Sequence, residues 1–480
     1  MTRHRGATHT VQRRVRQGSL AGLALLSALA VTPGPAAPAD AWALVGGVVI
    51  DGHGGPPLAD AVVLVEGDRI KAVGRVGQLT IPAHARVLDT EGRTVLPGLI
   101  DAHAHLGYLG EGEGISWPEP YASKPGEHIL PLAARQLLSA GVTTVRDPYC
   151  GLEDGLRTRR RIEAGELPGP RLFISGPALT GSRGAEFVGR TEWGVGDAAD
   201  ARRKVARLAE AGVDVIKLLS PDRMAPGVAE AIVDEARRRK VPTTFHALSM
   251  DEVRRGLLAG ASSLEHLEMG TAPQYPSDVV EQIRERNRGL YWIPTLGGFW
   301  APVDGWDFPE RLDQPEPRRF LPPDLWSALA ASLRPPRNAA EVHDERRIVA
   351  TFPAKLRQLR ESGVTLVVGS DSGTLWNFHA EATWREMWRW ETLGVPPMET
   401  LRAATYWAAR LLGRTDLGVV EPGALADLIV VEGNPLESVR DLRRVDAVMK
   451  GGRIHVRDGR WVADGEVPER SARGWPLPSR

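Results

Sequence analysis

The sequence predicts an α/β protein, a (β/α)8 TIM barrel with a small β-sandwich domain formed from both ends of the mature chain. Three observations predict it. Short β-branched strands occupy both ends, apolar strands alternate with helical segments between Leu96 and Arg414, and eight strand candidates lie in that central part. Alternating strands and helices are typical of βα units on a parallel sheet. Eight such units favour a barrel, whose active site lies at the carboxyl ends of its strands.

The composition is that of a globular chain with no strong charge bias. Its 480 residues are 42% hydrophobic and 25% charged, which is enough to bury a large core. The 60 basic and 60 acidic residues cancel, so the basic face that a nucleic acid requires is not expected. The single cysteine, Cys150, excludes an intrachain disulfide framework and a cysteine-rich metal site. We expect it to be a buried, inert thiol.

Residues 1–41 are predicted to be a signal peptide rather than part of the fold. Five arginines precede a short apolar run at 20–31, and residues 33–41 are rich in small residues and proline. This order is typical of a secretory signal, and the run is too short to span a membrane comfortably. The pair Arg13-Arg14 also permits twin-arginine export. The protein is therefore expected to be periplasmic or secreted, with no membrane span after cleavage.

Changes in the pattern of predicted strands and helices along the chain define the expected domains. They are the sandwich in two parts at 42–95 and 416–465, the barrel at 96–415, and a tail at 466–480. The sandwich strands are runs broken by Gly, Pro and Asp, at Leu44–Asp51, Ala61–Glu66, Arg69–Val73, Arg86–Asp89, Leu428–Glu432, Ala447–Lys450 and Gly452–Arg457.

The expected barrel contains eight strands in chain order. They are Leu99–His105, Val142–Asp147, Arg171–Ser175, Val213–Leu219, Pro242–His246, Ser262–His266, Leu290–Pro294 and Thr365–Ser370. Helices are predicted between them at Ala198–Ala211, Gly227–Lys240 and Met250–Ala259. The connection at Gly297–Glu345 is rich in Pro and Trp, and so long a loop is usually functional or a lid.

Metal-binding side chains are placed at the ends of these strands. The first strand ends in His103 and His105, which share a face because alternate strand residues point the same way. Two adjacent imidazoles gain little from packing, and a shared cation would explain them. Such a pair alone is weak support, since a hydrogen-bonded core histidine is the commoner case.

Four more strand ends carry comparable residues. Lys217 lies in an apolar strand, where an unpaired ammonium is costly. His246, His266 and Asp371 end the fifth, sixth and eighth strands. Each has an ordinary alternative: a core histidine, a lysine that reaches solvent, or a helix-capping aspartate. Because all of them fall on the one rim where barrel enzymes carry out chemistry, a common site is favoured.

This order of motifs resembles the amidohydrolase superfamily, and within it the branch of imidazolonepropionase-related and prolidase-like metal-dependent dipeptidases. Besides the strand-end residues, the matching segments are LPGLIDAHAH at 96–105, GVTTVRD at 141–147, GSD at 369–371, GVVEPGALADL at 418–428 and GNPL at 433–436. The resemblance covers nearly the whole mature chain. It implies a binuclear hydrolase, most often with zinc, in which a carboxylated lysine bridges the two ions.

The resemblance also implies a role for each residue. His103, His105 and Asp371 would hold one Zn²⁺, His246 and His266 the other, and carboxylated Lys217 would bridge them. Asp371 would pass a proton from the attacking, metal-bridging hydroxide to the leaving amine. These nitrogen and oxygen ligands also suit cobalt, manganese or iron, so the metal and the number of ions stay open.

Substrate contacts are less defined. The loop at 179–187 lacks the histidine that family members often carry there. Arg183 and Arg223, and also Arg190, could clamp a substrate carboxylate through a bidentate fork, although a solvated surface charge is the commoner role. His343 and His379 are taken as ordinary histidines.

Aromatic residues in the connections after strands seven and eight could line an apolar pocket. They are Phe299, Trp300, Trp306, Trp376 and Phe378. Trp384 and Trp388 are four residues apart and are expected to pack one helix instead.

The function expected from these features is hydrolysis of a C–N bond in a small substrate, such as a dipeptide or an N-acyl amino acid. One alternative is a mononuclear, imidazolonepropionase-like cyclic-amide hydrolase or deaminase, which does not need Lys217. A non-catalytic barrel protein is a second alternative, disfavoured because all six ligand positions are filled. The partner is a small-molecule substrate, not a nucleic acid, and a homo-oligomer stays open.

Overall fold

A computed structural model of the chain describes residues 40–111, 117–333 and 339–462. All but the last two residues of the predicted signal peptide lie outside the described residues, as does the predicted tail at 466–480. The α/β class is confirmed, because parallel sheets alternate with helices through the central part of the chain.

Strands from both ends of the described chain form one nine-stranded sheet. The strands are β1 (Ala41–Val49), β2 (Leu58–Glu66), β3 (Arg69–Arg75), β4 (Arg86–Asp89) and β5 (Arg93–Pro97), followed near the carboxyl end by β16 (Leu428–Glu432), β17 (Val445–Lys450), β18 (Arg453–Arg457) and β19 (Arg460–Trp461). Their order is β19-β18-β17-β16-β5-β1-β2-β3, and β4 pairs with β1. The antiparallel pairing of β5 with β16 joins the two ends of the chain.

The two parts of this sheet share one buried apolar cluster. Trp42 and Val63 from the first part and Val430 and Met449 from the second belong to it. They come from strands whose residues alternate between two faces, so each strand contributes one face to the cluster. The sheet also extends two residues past the predicted boundary at residue 95, because β5 ends at Pro97.

The central part of the chain contributes ten strands to two further sheets. They are β6 (Leu99–Asp101), β7 (Val142–Asp147), β8 (Arg171–Ile174), β9 (Ala178–Thr180), β10 (Glu192–Gly194), β11 (Ile216–Leu219), β12 (Thr243–His246), β13 (Ser263–Glu265), β14 (Tyr291–Ile293) and β15 (Thr365–Leu366). One sheet has the order β6-β7-β8 and the other β10-β9-β11-β12-β13-β14-β15. Every pairing within the two sheets is parallel.

Backbone hydrogen bonds connect the two sheets at both sides. Asp214 N donates to Ile174 O over 2.8 Å, which places β8 beside the start of β11. Ala102 N donates to Val368 O over 3.0 Å, which places the end of β6 beside the residues that follow β15. The predicted third strand, Arg171–Ser175, corresponds to β8, which pairs with β7. The chain then forms β9, which was not predicted and pairs with β11.

Several strands end earlier than predicted, at the residues that carry polar side chains. β13 stops at Glu265 because His266 has a left-handed backbone, with φ of 74°. Asp371, after β15, has φ of 58°. Such a conformation is uncommon outside glycine. At His266 it turns the chain away from the ladder directly after β13, whereas β15 already ends at Leu366, before Asp371 is reached.

Fourteen α-helices are described. They are α1 (Pro125–Ser139), α2 (Leu152–Glu163), α3 (Ala198–Ala211), α4 (Val228–Arg238), α5 (Met250–Ala259), α6 (Ser277–Arg286), α7 (Leu296–Asp307), α8 (Pro315–Arg318), α9 (Pro323–Leu333), α10 (Ala339–Val349), α11 (Phe352–Ser362), α12 (Ala382–Thr392), α13 (Pro397–Ala403) and α14 (Tyr406–Leu411). Within the described ranges, none is long and apolar enough to cross a membrane. The bounds predicted for α3 and α5 are confirmed.

Side-chain caps explain where these two helices begin. The Asp197 carboxylate accepts the N–H of Asp200 at the start of α3. Ser249 and Glu252 form a reciprocal capping box at the start of α5. Both arrangements satisfy backbone donors that a first helical turn leaves unpaired.

The long connection after the seventh predicted strand is helical, so its interpretation as an open loop was wrong. Its described residues fold mainly into α7, α9 and α10, with short turns of helix between α7 and α9. Leu325, Leu329 and Leu333 recur every four residues of α9 and are all buried. That spacing produces one apolar helical face. In the sequence, the many prolines of the segment obscured this helical pattern.

A buried ion pair joins the end sheet to the central strands. The Arg171 guanidinium donates to both Asp427 oxygens, over 2.7 and 3.0 Å, and Asp427 is only 4% exposed. Lys450 Nζ adds a 2.7 Å bond to Gly169 O just before β8. The end sheet is thus held against β8 by charged contacts as well as by apolar packing.

We expect Asp427→Asn to lower the free energy of unfolding by about 2 kcal/mol, since it leaves Arg171 without a charged partner in a mostly buried place. Asp234→Asn is the matched control, because the Asp234–Arg237 pair is 3.8 Å long and exposed and should change stability by less than about 1 kcal/mol. Urea unfolding of both variants measures the difference. Equal effects would show that the Arg171–Asp427 pair does not hold the two parts together.

Candidate metal centre

Three of the predicted ligands converge at the ends of the first and last central strands. One ligand atom each from His103, His105 and Asp371 lies within 4.8 Å of the others. Asp371 Oδ1 is 2.9 Å from His105 Nε2 and 3.4 Å from His103 Nε2. The two Nε2 atoms are 3.3 Å apart. Three donor atoms facing one point in this way suit a divalent cation.

Backbone hydrogen bonds bring these residues together. Asp371 N donates to His103 O over 2.7 Å, and His105 N donates to Ser372 O over 2.8 Å. Both contacts pair the chain after β6 with the chain after β15. The distance between His105 and Asp371 is therefore set by the main chain and not by side-chain rotation alone.

The other two predicted histidines lie beside this group. The ring centres of His246 and His266 are 4.5 Å apart, and those of His103 and His266 are 4.8 Å apart. Thr295, at the start of α7, places its hydroxyl 2.7 Å from His266 Nδ1. The four imidazoles thus form one continuous cluster at the ends of β6, β12 and β13.

Lys217, on β11, is buried close to the cluster. Its Nζ has no hydrogen-bond partner among the described residues. Burial lowers the pKa of this amine to about 8, because the charged form loses its hydration. Its positive charge also helps to lower the pKa values of His103, His246 and His266, so the lysine is within electrostatic range of three of the four imidazoles.

Four buried polar atoms of the site make no hydrogen bond within the described part of the chain. They are His105 Nδ1, Lys217 Nζ, His246 Nδ1 and Asp371 Oδ1. Such atoms are costly when they stay unpaired. These residue types fit metal ligands: an ion would bind the Asp371 oxygen, and a carbamate would replace the buried Lys217 amine.

Burial keeps His103, His246 and His266 in the neutral form that binds a metal, whereas two carboxylates favour the protonated form of His105. Burial lowers the pKa of His103 and His266 well below the usual value, so both are neutral, as an imidazole ligand must be. For His105, Asp147 and Asp371 overcome the opposing effect of burial and raise its pKa to about 9. The pKa of Asp371 is lowered, since the neighbouring histidines and Lys217 outweigh its burial.

Two functional residues were missed by the sequence analysis. Glu265, the last residue of β13, accepts from His103 Nδ1 over 2.6 Å and from Arg146 Nη2 over 2.5 Å. Both are fully buried in the strands. The signal was present, because Glu265 and Arg146 are charged residues in strands that were predicted to be buried.

Asp101 is a second buried acid beneath the site. Its carboxylate accepts from Ser370 Oγ over 2.5 Å and from Thr383 Oγ1 over 2.7 Å. Ser370 N adds a third bond over 3.0 Å. Asp101 thus ties the end of β6 to the segment that carries Asp371.

His379 and His343 behave as ordinary histidines, as expected. His379 is fully buried; its Nε2 donates to Tyr108 O over 2.8 Å, and its Nδ1 accepts from Ser372 Oγ over 2.8 Å. His343 lies exposed on α10. Cys150 is buried, and burial raises the pKa of its thiol well above the usual value, which is consistent with an inert side chain.

The predicted substrate contacts are only partly brought to the site. The Phe299 ring centre is 6.1 Å from that of His266, so this aromatic residue borders the cluster. Arg183 is exposed and stacks over Phe187 at 4.9 Å, and Arg223 is exposed after β11. Arg190 is 3.6 Å from Asp154 on α2.

Of the remaining aromatic candidates, Trp306 is half-buried on α7, and the others take part in packing. Phe378 is fully buried and Trp376 is 5% exposed. Trp300, Trp384 and Trp388 are partly buried against the main core. These residues therefore support α7 and α12, as expected for Trp384 and Trp388.

A buried His-His-Asp cluster at the ends of parallel strands defines a candidate metal-dependent hydrolase site. The model of the Amidohydrolase family matches residues 94–284 and 317–455, which is more than half of the chain. The chain therefore belongs to the amidohydrolase family.

Known proteins agree with this assignment. Ochratoxinase of Aspergillus niger is 24% identical over 475 residues, which cover 88% of each chain. Imidazolonepropionase of Anaeromyxobacter sp. is 28% identical over 444 residues, 83% of this chain and 90% of its own. The crystal structure of a prolidase complexed with N-methylphosphonate-L-proline has a TM-score of 0.64 and 25% identity, and the match covers 87% of this chain and 100% of that one. The protein is a hydrolase that acts on C–N bonds, and it resembles the imidazolonepropionase and prolidase-like branch.

The buried His379 predicts acid sensitivity. Burial lowers its folded-state pKa to about 4, below the unfolded value near 6.5. Between these values the unfolded chain binds the extra proton, so stability falls as the pH falls from about 6.5 to 4, by on the order of 3 kcal/mol.

Urea unfolding of metal-free wild type and His379→Asn at several pH values measures this contribution. We expect a shallower pH dependence in the variant over that interval, since other buried histidines contribute equally to both proteins. Parallel curves would exclude His379 as a source of the acid sensitivity.

Proposed function

We propose that the protein is a binuclear metal-dependent amidohydrolase that cleaves a linear amide, such as a dipeptide or an N-acyl amino acid. His103, His105 and Asp371 would hold one ion and His246 and His266 the other. Carboxylated Lys217 would bridge them. The observation that carries the proposal is the buried Nζ of Lys217, which has no hydrogen-bond partner in the described part of the chain and lies near the four clustered imidazoles.

The chemistry of Lys217 supports the bridge. A lysine amine forms a carbamate only when it is neutral, and a pKa of about 8 leaves a sizeable neutral fraction near neutral pH. Attack of the amine nitrogen on CO₂ forms the N–C bond and releases one proton. The product is an anion with two oxygens, which removes the cost of a buried ammonium beside two metal ions.

The chain's own residues would bind and orient the reactants. When bound, zinc or a similar ion would polarise the scissile carbonyl and lower the pKa of water. Asp371 is 7% exposed and lies where the ligand atoms converge, so its carboxylate can accept the proton of the attacking water. The same carboxylate can then donate that proton to the leaving amine.

A chain of contacts links Arg183 to the site and supports its proposed role with the substrate. The Tyr149 ring centre is 5.8 Å from that of His105. Tyr149 Oη donates to Glu192 Oε1 over 2.7 Å, and Glu192 Oε2 is 3.9 Å from Arg183 Nε. We propose that Arg183, together with Arg223, receives the free carboxylate of the substrate.

We propose further that the two central sheets close into one eight-stranded barrel, in which β8 and β9 together form the third strand and β10 lies outside the count. We also propose that the sheet from the chain ends folds into the sandwich. The hydrogen bonds from Asp214 to Ile174 and from Ala102 to Val368 support the closure, and the shared cluster around Trp42 and Met449 supports the sandwich. Export to the periplasm or beyond the cell also stays a proposal, based on the amino-terminal residues.

A mononuclear cyclic-amide hydrolase or deaminase is the alternative function. The 28% identity to an imidazolonepropionase favours it. It would explain the three-residue group of His103, His105 and Asp371, but it would leave Lys217 buried without a purpose.

Metal analysis of purified wild type and Lys217→Ala separates the two functions. We expect about two ions per chain in the wild type, no more than one in the variant, and faster reloading of the metal-free wild type when bicarbonate is added. Lys355→Met is the matched control, since Lys355 is also buried but its Nζ has three oxygen acceptors. One ion in both proteins, with activity retained in Lys217→Ala, would support the mononuclear alternative.

A panel of dipeptides, N-acyl amino acids and cyclic amides tests the reaction itself. We expect hydrolysis of linear amides and a fall in kcat of at least about 100-fold in Asp371→Asn, because the amide side chain cannot accept the proton. Asp251→Asn, an exposed acid at the start of α5, is the control. Full activity in Asp371→Asn would refute the role of this carboxylate.

A further inference from the structure

We propose that Glu265, held in place by Arg146 and Thr244, is a positioning residue that orients His103 for metal binding and strengthens it as a ligand. The inference rests on the proposed metal centre and adds a residue that does not itself contact the ion. The observations behind it are the hydrogen bonds that converge on the two oxygens of one buried carboxylate.

The contact with Glu265 sets the tautomer of His103. Glu265 Oε2 lies 2.6 Å from His103 Nδ1, and a carboxylate can only accept in this contact. The proton of the neutral imidazole is therefore held on Nδ1. The lone pair is left on Nε2, the atom that lies 3.3 Å from His105 Nε2 and 3.4 Å from Asp371 Oδ1. The carboxylate thus selects the tautomer that a metal ion needs.

The other oxygen of Glu265, Oε1, is held by two donors. Oε1 accepts from Arg146 Nη2 over 2.5 Å and from the hydroxyl of Thr244 on the adjacent strand β12. The same guanidinium donates through Nε to Ala102 O over 2.6 Å, directly before His103. Arg146 therefore neutralises the buried carboxylate and also holds the backbone that carries the ligand.

The directions of its contacts exclude Glu265 as a direct metal ligand through Oε2. Oε2 faces the Nδ1 edge of the His103 ring, whereas His105 and Asp371 face the Nε2 edge. Its partner Oε1 is already engaged by Arg146 and Thr244. Glu265 therefore acts on the centre through the imidazole and leaves the bridging position to Lys217.

The two halves of the centre differ in the groups that their histidine Nδ1 atoms meet. His103 Nδ1 donates to a carboxylate, but His266 Nδ1 meets only the neutral hydroxyl of Thr295, at 2.7 Å. His246 Nδ1 has no partner among the described residues. A carboxylate acceptor raises the basicity of an imidazole more than a hydroxyl does. The ion held by His103, His105 and Asp371 should therefore be the tighter of the two.

Glu265→Gln is the test variant, because it is isosteric and removes the charge. The single amide oxygen cannot accept from both His103 and Arg146, so the tautomer is no longer enforced. We expect zinc affinity, measured by competition with a chromophoric chelator, to fall about 10- to 100-fold. In the wild type, one ion should resist the chelator longer than the other, and the variant should lose this difference.

A second variant separates position from charge. Glu265→Asp keeps the negative charge beside Arg146 but withdraws the carboxylate from His103 by one methylene. We expect a similar loss of zinc affinity and a shift in the visible spectrum of the cobalt-loaded protein, since the geometry at His103 changes. A variant that binds zinc like the wild type would show that position is unimportant and would overturn the proposal.

Glu268→Gln is the matched control for stability. Glu268 is also buried and pairs with a buried cation, Lys355, over 2.7 Å, but no imidazole contact of its carboxylate is described. It should lower the melting temperature about as much as Glu265→Gln and leave zinc affinity unchanged. Equal losses of zinc affinity in the two variants would show that Glu265 has only a structural role.

The wild type distinguishes failure of this inference from failure of the proposed function. A wild type that binds zinc and hydrolyses amides, together with an unaffected Glu265→Gln, would overturn the positioning role alone. A wild type that binds no zinc, cobalt or manganese would overturn the proposed metal centre and this inference with it.

Discussion

The backbone hydrogen bond from Asp371 N to His103 O, over 2.7 Å, is the contact on which the candidate site depends. It joins the chain after the first central strand to the chain after the last one, across more than 260 residues. Together with the bond from His105 N to Ser372 O, it places the carboxylate of Asp371 2.9 Å from the imidazole of His105. Asp101 supports the same junction from below, because its carboxylate accepts the N–H and the hydroxyl of Ser370. The site therefore forms because the chain after the last central strand lies beside the chain after the first one.

Burial then determines the chemistry. Imidazoles that are withdrawn from water stay neutral unless carboxylates face them, as Asp147 and Asp371 face His105. A lysine amine that is withdrawn from water loses its proton more easily. A carboxylate can stay ionised in the same place only when donors surround it. Glu265 meets this condition through Arg146, Thr244 and His103. Lys217 does not, since its Nζ has no acceptor within the described ranges. Glu265 therefore supports the site, whereas the Lys217 amine is left to bind a ligand.

The sequence was most informative where one physical signal dominated. Helices α3 and α5 were predicted with the correct bounds because an apolar face and a clear cap coincide in each. The convergence of His103, His105 and Asp371 was predicted because parallel strands end at one edge. Glu265 and Arg146 were missed, since a charged residue in a buried strand does not reveal its partner, here 119 residues away. The segment at 297–345 was misinterpreted because prolines at the first turns of α8 and α9 look like loop residues when their position in a helix is unknown.

The local backbone at the site explains why the strands end where the chemistry begins. His266, Thr295 and Asp371 all have positive φ, between 49° and 74°, and each follows a central strand directly or within a few residues. Such conformations cost about 1 to 3 kcal/mol each and persist only where neighbouring structure enforces them. Here the enforcing contacts are visible: Asp371 N is bonded to His103 O, His266 N to Ile293 O, and Trp292 Nε1 to His266 O. The turn at each position aims a side chain at the common centre instead of along the strand. Part of the strain in the described chain is therefore stored at two proposed ligands, His266 and Asp371, and at Thr295, whose hydroxyl contacts His266.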